Sequence, residues 1–210
     1  EAVRRSTRVM LDLELFGLGR VALDSLEARR AAIHALLRHV KYLGLAERQS
    51  ALSRIVDVAG APELPTDLMM RSDQVRALSA AGMEVGAHTV NHPILRVIPD
   101  RQAREEIHTG RDHLQALIGA PVDVFAYPNG GPDRDYDMRH VRMVAAAGFA
   151  AAVSTAVGAV IPTADVYQLP RFTPWDRSLL RWSLRLLAMR TQGMHCARAN
   201  EAAVPVGSSV

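Results

Sequence analysis

Two histidines in this chain have the spacing of metal ligands. His88 and His92 lie four residues apart and directly follow the segment 83–87, which we predict to be a short β-strand. Imidazoles at positions i and i+4 of one helical turn can bind a single ion such as zinc. Thr89 stands where the metalloprotease motif has its glutamate, which excludes that motif. The spacing alone also allows two unrelated histidines in a turn.

Three carboxylates follow a Gly-Gly turn later in the chain. Asp133, Asp135 and Asp137 come directly after residues 130–131. Clustered carboxylates can bind a cation, but such a run more often caps the following helix. We therefore interpret Asp135 or Asp137 as a helix cap and do not expect these residues to be metal ligands.

A glycine pattern near the start of the chain matches a dinucleotide-binding motif only in part. Residues 17–22 have the form G-x-G-x-x-A, but His39, Val40 and Lys41 stand where the motif expects an acidic residue. The pattern is therefore interpreted as a turn between two helical or extended segments.

The segment 177–190 is predicted to be a basic amphipathic helix. Three arginines lie opposite three leucines: Arg177, Arg181 and Arg185 against Leu180, Leu184 and Leu187. Such a helix can lie on an anionic membrane surface. We favour the alternative, in which the leucines pack on the domain and the arginines face water.

Alternating helices and strands predict an α/β fold that would position these residues. The predicted helices cover residues 25–43, 46–58, 72–81, 100–117, 137–147 and 177–190, and the strands cover 83–87, 123–127 and 149–154. The first sixty residues are predicted to be helical. Helix followed by strand, three times with short connections, favours parallel strands. In such folds the loops after the strands hold the chemistry, and both polar loops, after residues 87 and 127, leave strands in this way.

The composition is that of a globular protein and excludes several classes of function. Of 210 residues, 49% are hydrophobic and 22% are charged, and the net charge of +3 indicates no nucleic-acid partner. The single cysteine, Cys196, excludes an intrachain disulfide and a cysteine-built zinc site. No apolar stretch is long enough to predict a transmembrane segment, and no signal peptide is visible.

Several motifs together resemble the polysaccharide deacetylases, the NodB-homology family. Residues 82–95 resemble the family's histidine motif, and residues 125–130 (Phe-Ala-Tyr-Pro-Asn-Gly) resemble its next motif in the variant of exopolysaccharide-associated members. Further similarity lies in residues 105–114, 147–149 and 169–171. The resemblance covers about residues 68 to 176, and the helical first sixty residues resemble an insertion that this subgroup carries.

The resemblance implies a metal-dependent hydrolase that removes N-acetyl groups from N-acetylhexosamine polymers or their lipid-linked precursors. It implies a distorted (β/α) barrel in which two histidines and one aspartate hold a divalent ion, usually zinc, while a second aspartate acts as base. His88 and His92 match the imidazole ligands, and the backbone N–H of Asn129 matches the oxyanion donor. The implied substrate-binding positions are Tyr127 and Gly130, which shape the loop of Asn129, and Arg171, which either contacts substrate hydroxyls or pairs with a carboxylate.

This sequence departs from the family pattern at three motifs. The family's two aspartates lie in an Asp-Asp-Gly segment on the first barrel strand, and this chain has no adjacent Asp-Asp pair. Ala126 stands where many members have an arginine, and the late Leu-x-x-His motif has no counterpart. His195 is a poor candidate for that motif because it lies in a polar tail.

These departures predict a partial barrel that lacks its first strands, in an N-terminally incomplete chain beginning at Glu1. The expected organisation is a helical insertion over residues 1–66, the later part of the barrel over 67–190 and a polar tail over 191–210. We expect this chain to be inactive by itself. The alternative is a non-catalytic deacetylase remnant that binds carbohydrate or a partner protein.

Overall fold

The computed structural model describes residues 1–61, 63–172, 175–189 and 196–197. The chain divides into two compact units, Glu1–Ala77 and Leu78–Val210, and the division falls within one helix, Ser72–Ala80. In the described residues, no helix combines the length and the apolar character needed to cross a membrane.

The first unit packs helices against a small β-hairpin. Its elements are α1 (Ala2–Arg5), β1 (Met10–Asp12), β2 (Arg20–Ala22), α2 (Leu26–Val40) and α3 (Leu45–Ala59), followed by the start of α4 (Ser72–Ala80). Ser25 caps α2 by accepting a hydrogen bond from the Ala28 N–H at 3.0 Å, as its sequence position predicts. Gly60 ends α3 in the left-handed conformation, which favours glycine.

The prediction that the first sixty residues are helical throughout is wrong at residues 10–22. Strands β1 and β2 pair in antiparallel register, with Leu11 opposite Val21. The segment 17–19 lies between them, so the G-x-G pattern belongs to a hairpin loop, as the turn interpretation predicted. The hairpin forms because Leu11 is buried between two exposed neighbours, an alternation that suits a strand with one face on the core.

The second unit is a mixed α/β arrangement around two parallel strands, and it corresponds to part of a barrel. Its elements are α5 (Asp100–Ile118), β3 (Val124–Ala126), α6 (Met138–Ala146), β4 (Ala151–Val153) and α7 (Leu179–Met189). Strands β3 and β4 pair in parallel, with Phe125 opposite Ala152. The predicted strand over residues 83–87 is reduced to one bridging residue, Ala87, which pairs in parallel with Phe125. Aromatic side chains dominate the core: Phe125, Tyr127, Tyr136 and Phe149.

Helix α7 does not pack as its sequence pattern predicted. Leu180, Leu184 and Leu187 are 68%, 56% and 61% exposed, so the expected burial of this leucine stripe is wrong for the described residues. Trp182 and Leu186, on another face of the helix, are half-buried. The periodicity therefore identified an amphipathic helix correctly but not the face that contacts the unit.

Helix α6 begins with a capping box that buries a histidine. Asp137 accepts a hydrogen bond from the Arg139 N–H at 2.9 Å, and the Asp137 N–H donates to His140 Nδ1 at 3.1 Å. His140 is fully buried, and this burial lowers the pKa of its imidazole below the ordinary 6.5.

We expect acid to destabilise the protein through His140. Because its pKa is lowered in the folded state, the unfolded chain binds the proton first, and stability is lost as the pH falls below about 6.5 towards the folded pKa. Urea titration should show the free energy of unfolding falling as the pH is lowered from 7.5 to 5.5. His140→Gln, which can still accept the cap hydrogen bond, should flatten the dependence. His108→Gln, at an exposed position, should leave it unchanged.

Candidate functional site

Both polar loops leave the same edge of the small parallel sheet. The Ala87 N–H donates to the Val124 carbonyl at 2.9 Å, and the Ala126 N–H donates to the Ala87 carbonyl at 2.8 Å. The Tyr127 N–H then donates to the Val153 carbonyl at 3.1 Å. The chain segments that follow residues 87, 126 and 153 therefore emerge side by side, as the carboxyl ends of parallel strands do.

His88 and His92 lie together in the first loop. Their ring centroids are 4.7 Å apart, with the ring planes at 75°. Nδ1 of His88 lies 2.7 Å from the Ala126 carbonyl, which can only accept, so Nδ1 carries the proton. This tautomer leaves Nε2 with the lone pair that binds a metal, and a backbone carbonyl on Nδ1 is a common support for a metal-binding histidine.

The histidine pair does not lie on a helical turn, which corrects the geometry inferred from its spacing. Thr89 and His92 have positive φ angles of 63° and 52°, so the backbone between the histidines follows an irregular loop. The Thr89 hydroxyl accepts a hydrogen bond from the His92 N–H at 3.1 Å. The four-residue spacing thus brings the rings together through a tight loop instead of a helix.

A buried carboxylate holds this loop in place. Glu106, on α5, is 6% exposed and accepts hydrogen bonds from the backbone N–H groups of Val90 at 2.9 Å and Asn91 at 2.8 Å. Its second oxygen accepts from Asn91 Nδ2 at 2.7 Å. Sequence reasoning did not assign this function to Glu106. One sequence feature could have indicated it: Glu106 lies on the same helix face as Ala103, Ile107 and Gly110, which are buried, and a buried carboxylate needs hydrogen-bond partners.

The second loop presents the predicted oxyanion donor. Asn129 and Gly130 have positive φ angles of 59° and 68°. Thr155 fixes both residues: its N–H donates to the Gly130 carbonyl at 2.9 Å, and its hydroxyl donates to the Asn129 carbonyl at 2.8 Å. Within the described part of the chain, the Asn129 N–H donates to no other group. An oxyanion donor needs an N–H without another partner, and the role of Asn129 stays a prediction.

Tyr127 supports the second loop from inside the core. Its side chain is 2% exposed and stacks on Tyr136 with ring centroids 3.9 Å apart. Its hydroxyl donates to the Tyr167 carbonyl at 3.0 Å, and burial raises the pKa of that hydroxyl, so it stays a neutral donor. Because neither the ring nor the hydroxyl is accessible, we revise its expected role from substrate contact to support of the loop.

The aspartates after the Gly-Gly turn make structural contacts. Asp135 is fully buried, accepts a hydrogen bond from the Gly131 N–H at 2.9 Å and pairs with Arg134 at 3.0 Å. Asp137 caps α6, as the capping interpretation predicted. Both carboxylates therefore have partners within the protein.

The two imidazoles in the first loop fit part of a zinc site. Two imidazoles lie together, and His88 Nε2 is oriented as a ligand by the bond on Nδ1. Among the described residues, no group of three or more His, Cys, Asp or Glu side chains is arranged to hold an ion. His195 lies outside the described residues. Arg171 is exposed and lies on a cleft wall together with Thr155.

Comparison with solved structures finds deacetylases. The Streptococcus pyogenes deacetylase PplD in complex with acetate is 19% identical, with a TM-score of 0.50 over 68% of this chain and 65% of that chain. IcaB from Ammonifex degensii is 21% identical (TM-score 0.46, 58% of this chain, 54% of that chain). The BpsB deacetylase domain from Bordetella bronchiseptica is 18% identical (TM-score 0.43, 52% and 51%). The similarity to PplD shows a shared fold, and the chain spans slightly less than two thirds of that protein.

Comparison with family models assigns the chain to a protein family. No curated protein matches the chain. The polysaccharide deacetylase model matches residues 46–152, about half of the chain, and so includes α3 as well as both loops of the site. This chain belongs to the polysaccharide deacetylase family.

Proposed function

We propose that this chain forms the histidine and oxyanion part of a metal-dependent deacetylase that acts on N-acetylhexosamine polymers or their lipid-linked precursors. The observation that supports this most is the histidine pair at the sheet edge, where Nδ1 of His88 is bonded to the Ala126 carbonyl and the His92 ring lies 4.7 Å away. The same edge carries the available N–H of Asn129. An imidazole pair beside a backbone donor suits the hydrolysis of an amide through a tetrahedral intermediate.

Each part of this site has a specific task in the proposed reaction. His88 and His92 would hold a divalent ion, for which zinc is the first candidate. When bound, this ion would polarise the amide carbonyl and the water molecule. The Ala126 carbonyl keeps the proton on Nδ1 of His88, and Glu106 holds the loop that carries both rings. The Asn129 N–H donates to the oxygen that becomes negative in the intermediate, and Thr155 fixes the position of that donor.

The 210-residue chain by itself should bind zinc weakly and release no acetate. Its sequence has no Asp-Asp pair that could supply the third ligand and the base of the family mechanism. Zinc sites in proteins normally have three or four protein ligands, so two imidazoles alone give a low affinity.

Metal titration tests the histidine pair directly. Cobalt or zinc added to the chain should bind at one weak site, and His88→Ala or His92→Ala should each lower the affinity at least about tenfold by removing one of two ligands. His108→Ala, at an exposed position of α5, should leave the affinity unchanged. Calorimetry and the cobalt absorption spectrum measure this. Equal binding by all variants would show that the pair is not the metal site.

The alternative function is a non-catalytic module that binds carbohydrate or protein. Reading the coding sequence upstream of Glu1 distinguishes it from the deacetylase. An in-frame Asp-Asp-Gly segment after an apolar strand supports the deacetylase. A start codon at or just before residue 1 favours the binding module.

A further inference from the structure

Helix α7 has two apolar faces, and only one of them is partly covered by the second unit. The half-buried face has residues at i, i+4 and i+7: Trp182, Leu186 and Met189. The other face has the same spacing and is more than half exposed; we call it the leucine face, and it consists of Leu180, Leu184 and Leu187. Because the two sets are offset by two residues, they lie about 200° apart around the helix axis. The leucine face is therefore directed towards solvent.

Side-chain contacts away from the leucine face hold α7 in place. The Trp182 ring lies edge to face against the Phe172 ring, with the ring centroids 6.5 Å apart. Arg185 Nη1 donates a hydrogen bond to Asp176 at 2.6 Å, and the guanidinium carbon lies 5.0 Å from the centre of the Phe172 ring. The leucine face is thus presented by a helix that is already positioned, which lowers the entropic cost of binding.

The charge along α7 is positive. Residues 177–200 contain five arginines and neither aspartate nor glutamate. Arg177 and Arg181 are exposed and border the leucine face, because they precede Leu180 and Leu184 by three residues each. Within the part of the chain that the structure describes, neither of these two guanidinium groups forms a hydrogen bond or an ion pair. Two cations without acidic partners therefore flank an exposed apolar stripe.

This combination fits the surface of an anionic membrane better than it fits another macromolecule. An amphipathic helix in the interface of a bilayer buries its apolar side, while arginines beside that side reach the lipid phosphates. A second copy of α7 would bring arginines towards arginines, because the helix has no acidic residue. Nucleic acid would pair with the arginines but leave the leucines in water. With eleven residues the helix is too short to cross a bilayer, so it would lie in the plane of the interface.

We propose that the leucine face of α7 docks the protein on lipid bilayers that contain anionic phospholipid. The leucines enter the boundary between headgroups and acyl chains, and Arg177 and Arg181 donate to the lipid phosphates. Trp175, which is 81% exposed just before the helix, adds an aromatic ring of the kind that favours this boundary. The inference does not rest on the proposed deacetylase function, because none of these residues belongs to the loops of His88 and Asn129.

Vesicle co-sedimentation in the presence of EDTA tests the docking surface without any metal. The 210-residue chain should bind vesicles that contain phosphatidylglycerol at least about tenfold more tightly than vesicles of phosphatidylcholine alone. Leu184→Ser should weaken this binding about tenfold, because it removes apolar area from the leucine face. Leu15→Ser is the matched control at a leucine that is 64% exposed in the first unit, and it should change binding by less than about twofold.

The contribution of the arginines is tested by removing two charges. Arg177→Gln together with Arg181→Gln should weaken binding to the phosphatidylglycerol vesicles about fivefold for each charge. Arg30→Gln together with Arg38→Gln removes the same net charge from exposed positions of α2 and should have a much smaller effect.

Three results would overturn the docking surface. The first is the absence of vesicle binding by the unchanged chain. The second is an equal effect of the α7 substitutions and their controls, which would assign binding to net charge or to scattered apolar residues. The third is a dimer in sedimentation equilibrium that Leu184→Ser dissociates, which would assign the leucine face to a second copy. Because Leu184 is exposed, its replacement should leave the thermal melt unchanged, so that lost binding is not lost folding.

Discussion

Gly130→Ala should be among the most destabilising single substitutions in the second unit. Gly130 has a φ of +68°, and an added Cβ would lie 2.9 Å from the Thr155 nitrogen and 3.1 Å from the Tyr127 carbonyl oxygen. Both neighbours are backbone atoms, and the Thr155 nitrogen cannot move away without breaking its hydrogen bond to the Gly130 carbonyl. We expect a loss of about 3 kcal/mol in the free energy of unfolding, from backbone strain and the steric clash together.

Gly119 provides a matched control for this experiment. It has the same φ of +68°, at the end of α5, but an added Cβ there would have no atom within 4 Å. Gly119→Ala should therefore cost only the conformational strain, about 1 kcal/mol. Urea unfolding followed by circular dichroism compares the two variants. Equal losses would show that the close approach of Thr155 and Tyr127 to Gly130 does not constrain the loop.

Glu106→Ala should release the loop that carries the histidine pair. The substitution removes the acceptor for the N–H groups of Val90 and Asn91 and leaves these donors beside an apolar methyl group. Since hydrogen bonds to a carboxylate contribute more than neutral ones, we expect a loss of about 3 kcal/mol in stability. Metal affinity at His88 and His92 should also fall about tenfold, because the loop no longer holds the two rings together.

The neighbouring residue is the natural control for Glu106. Glu105 is exposed and, among the described residues, forms an ion pair only with Arg101 on the surface, so Glu105→Ala should change stability by less than about 0.5 kcal/mol. Amide hydrogen exchange gives a local readout: Val90 and Asn91 should exchange faster in Glu106→Ala but not in Glu105→Ala. Unchanged exchange at both amides in Glu106→Ala would contradict the role of Glu106 as the anchor of the loop.

The sequence by itself determined the features that depend on residues close together in the chain. The N-cap at Ser25, the left-handed end of α3 at Gly60 and the cap at Asp137 were all predictable, because each depends on a local hydrogen bond or a local φ angle. The motifs around His88 and Asn129 identified the family for the same reason, since their residue types and spacing can be recognised without a fold.

The tertiary structure decided the features that depend on residues far apart in the chain. The tautomer of His88 is set by a carbonyl 38 residues away, and the loop around it is held by a carboxylate on α5. Local periodicity could not show which side chains the rest of the unit covers. That is why Tyr127 proved to be a core residue and the leucines of α7 proved to be exposed.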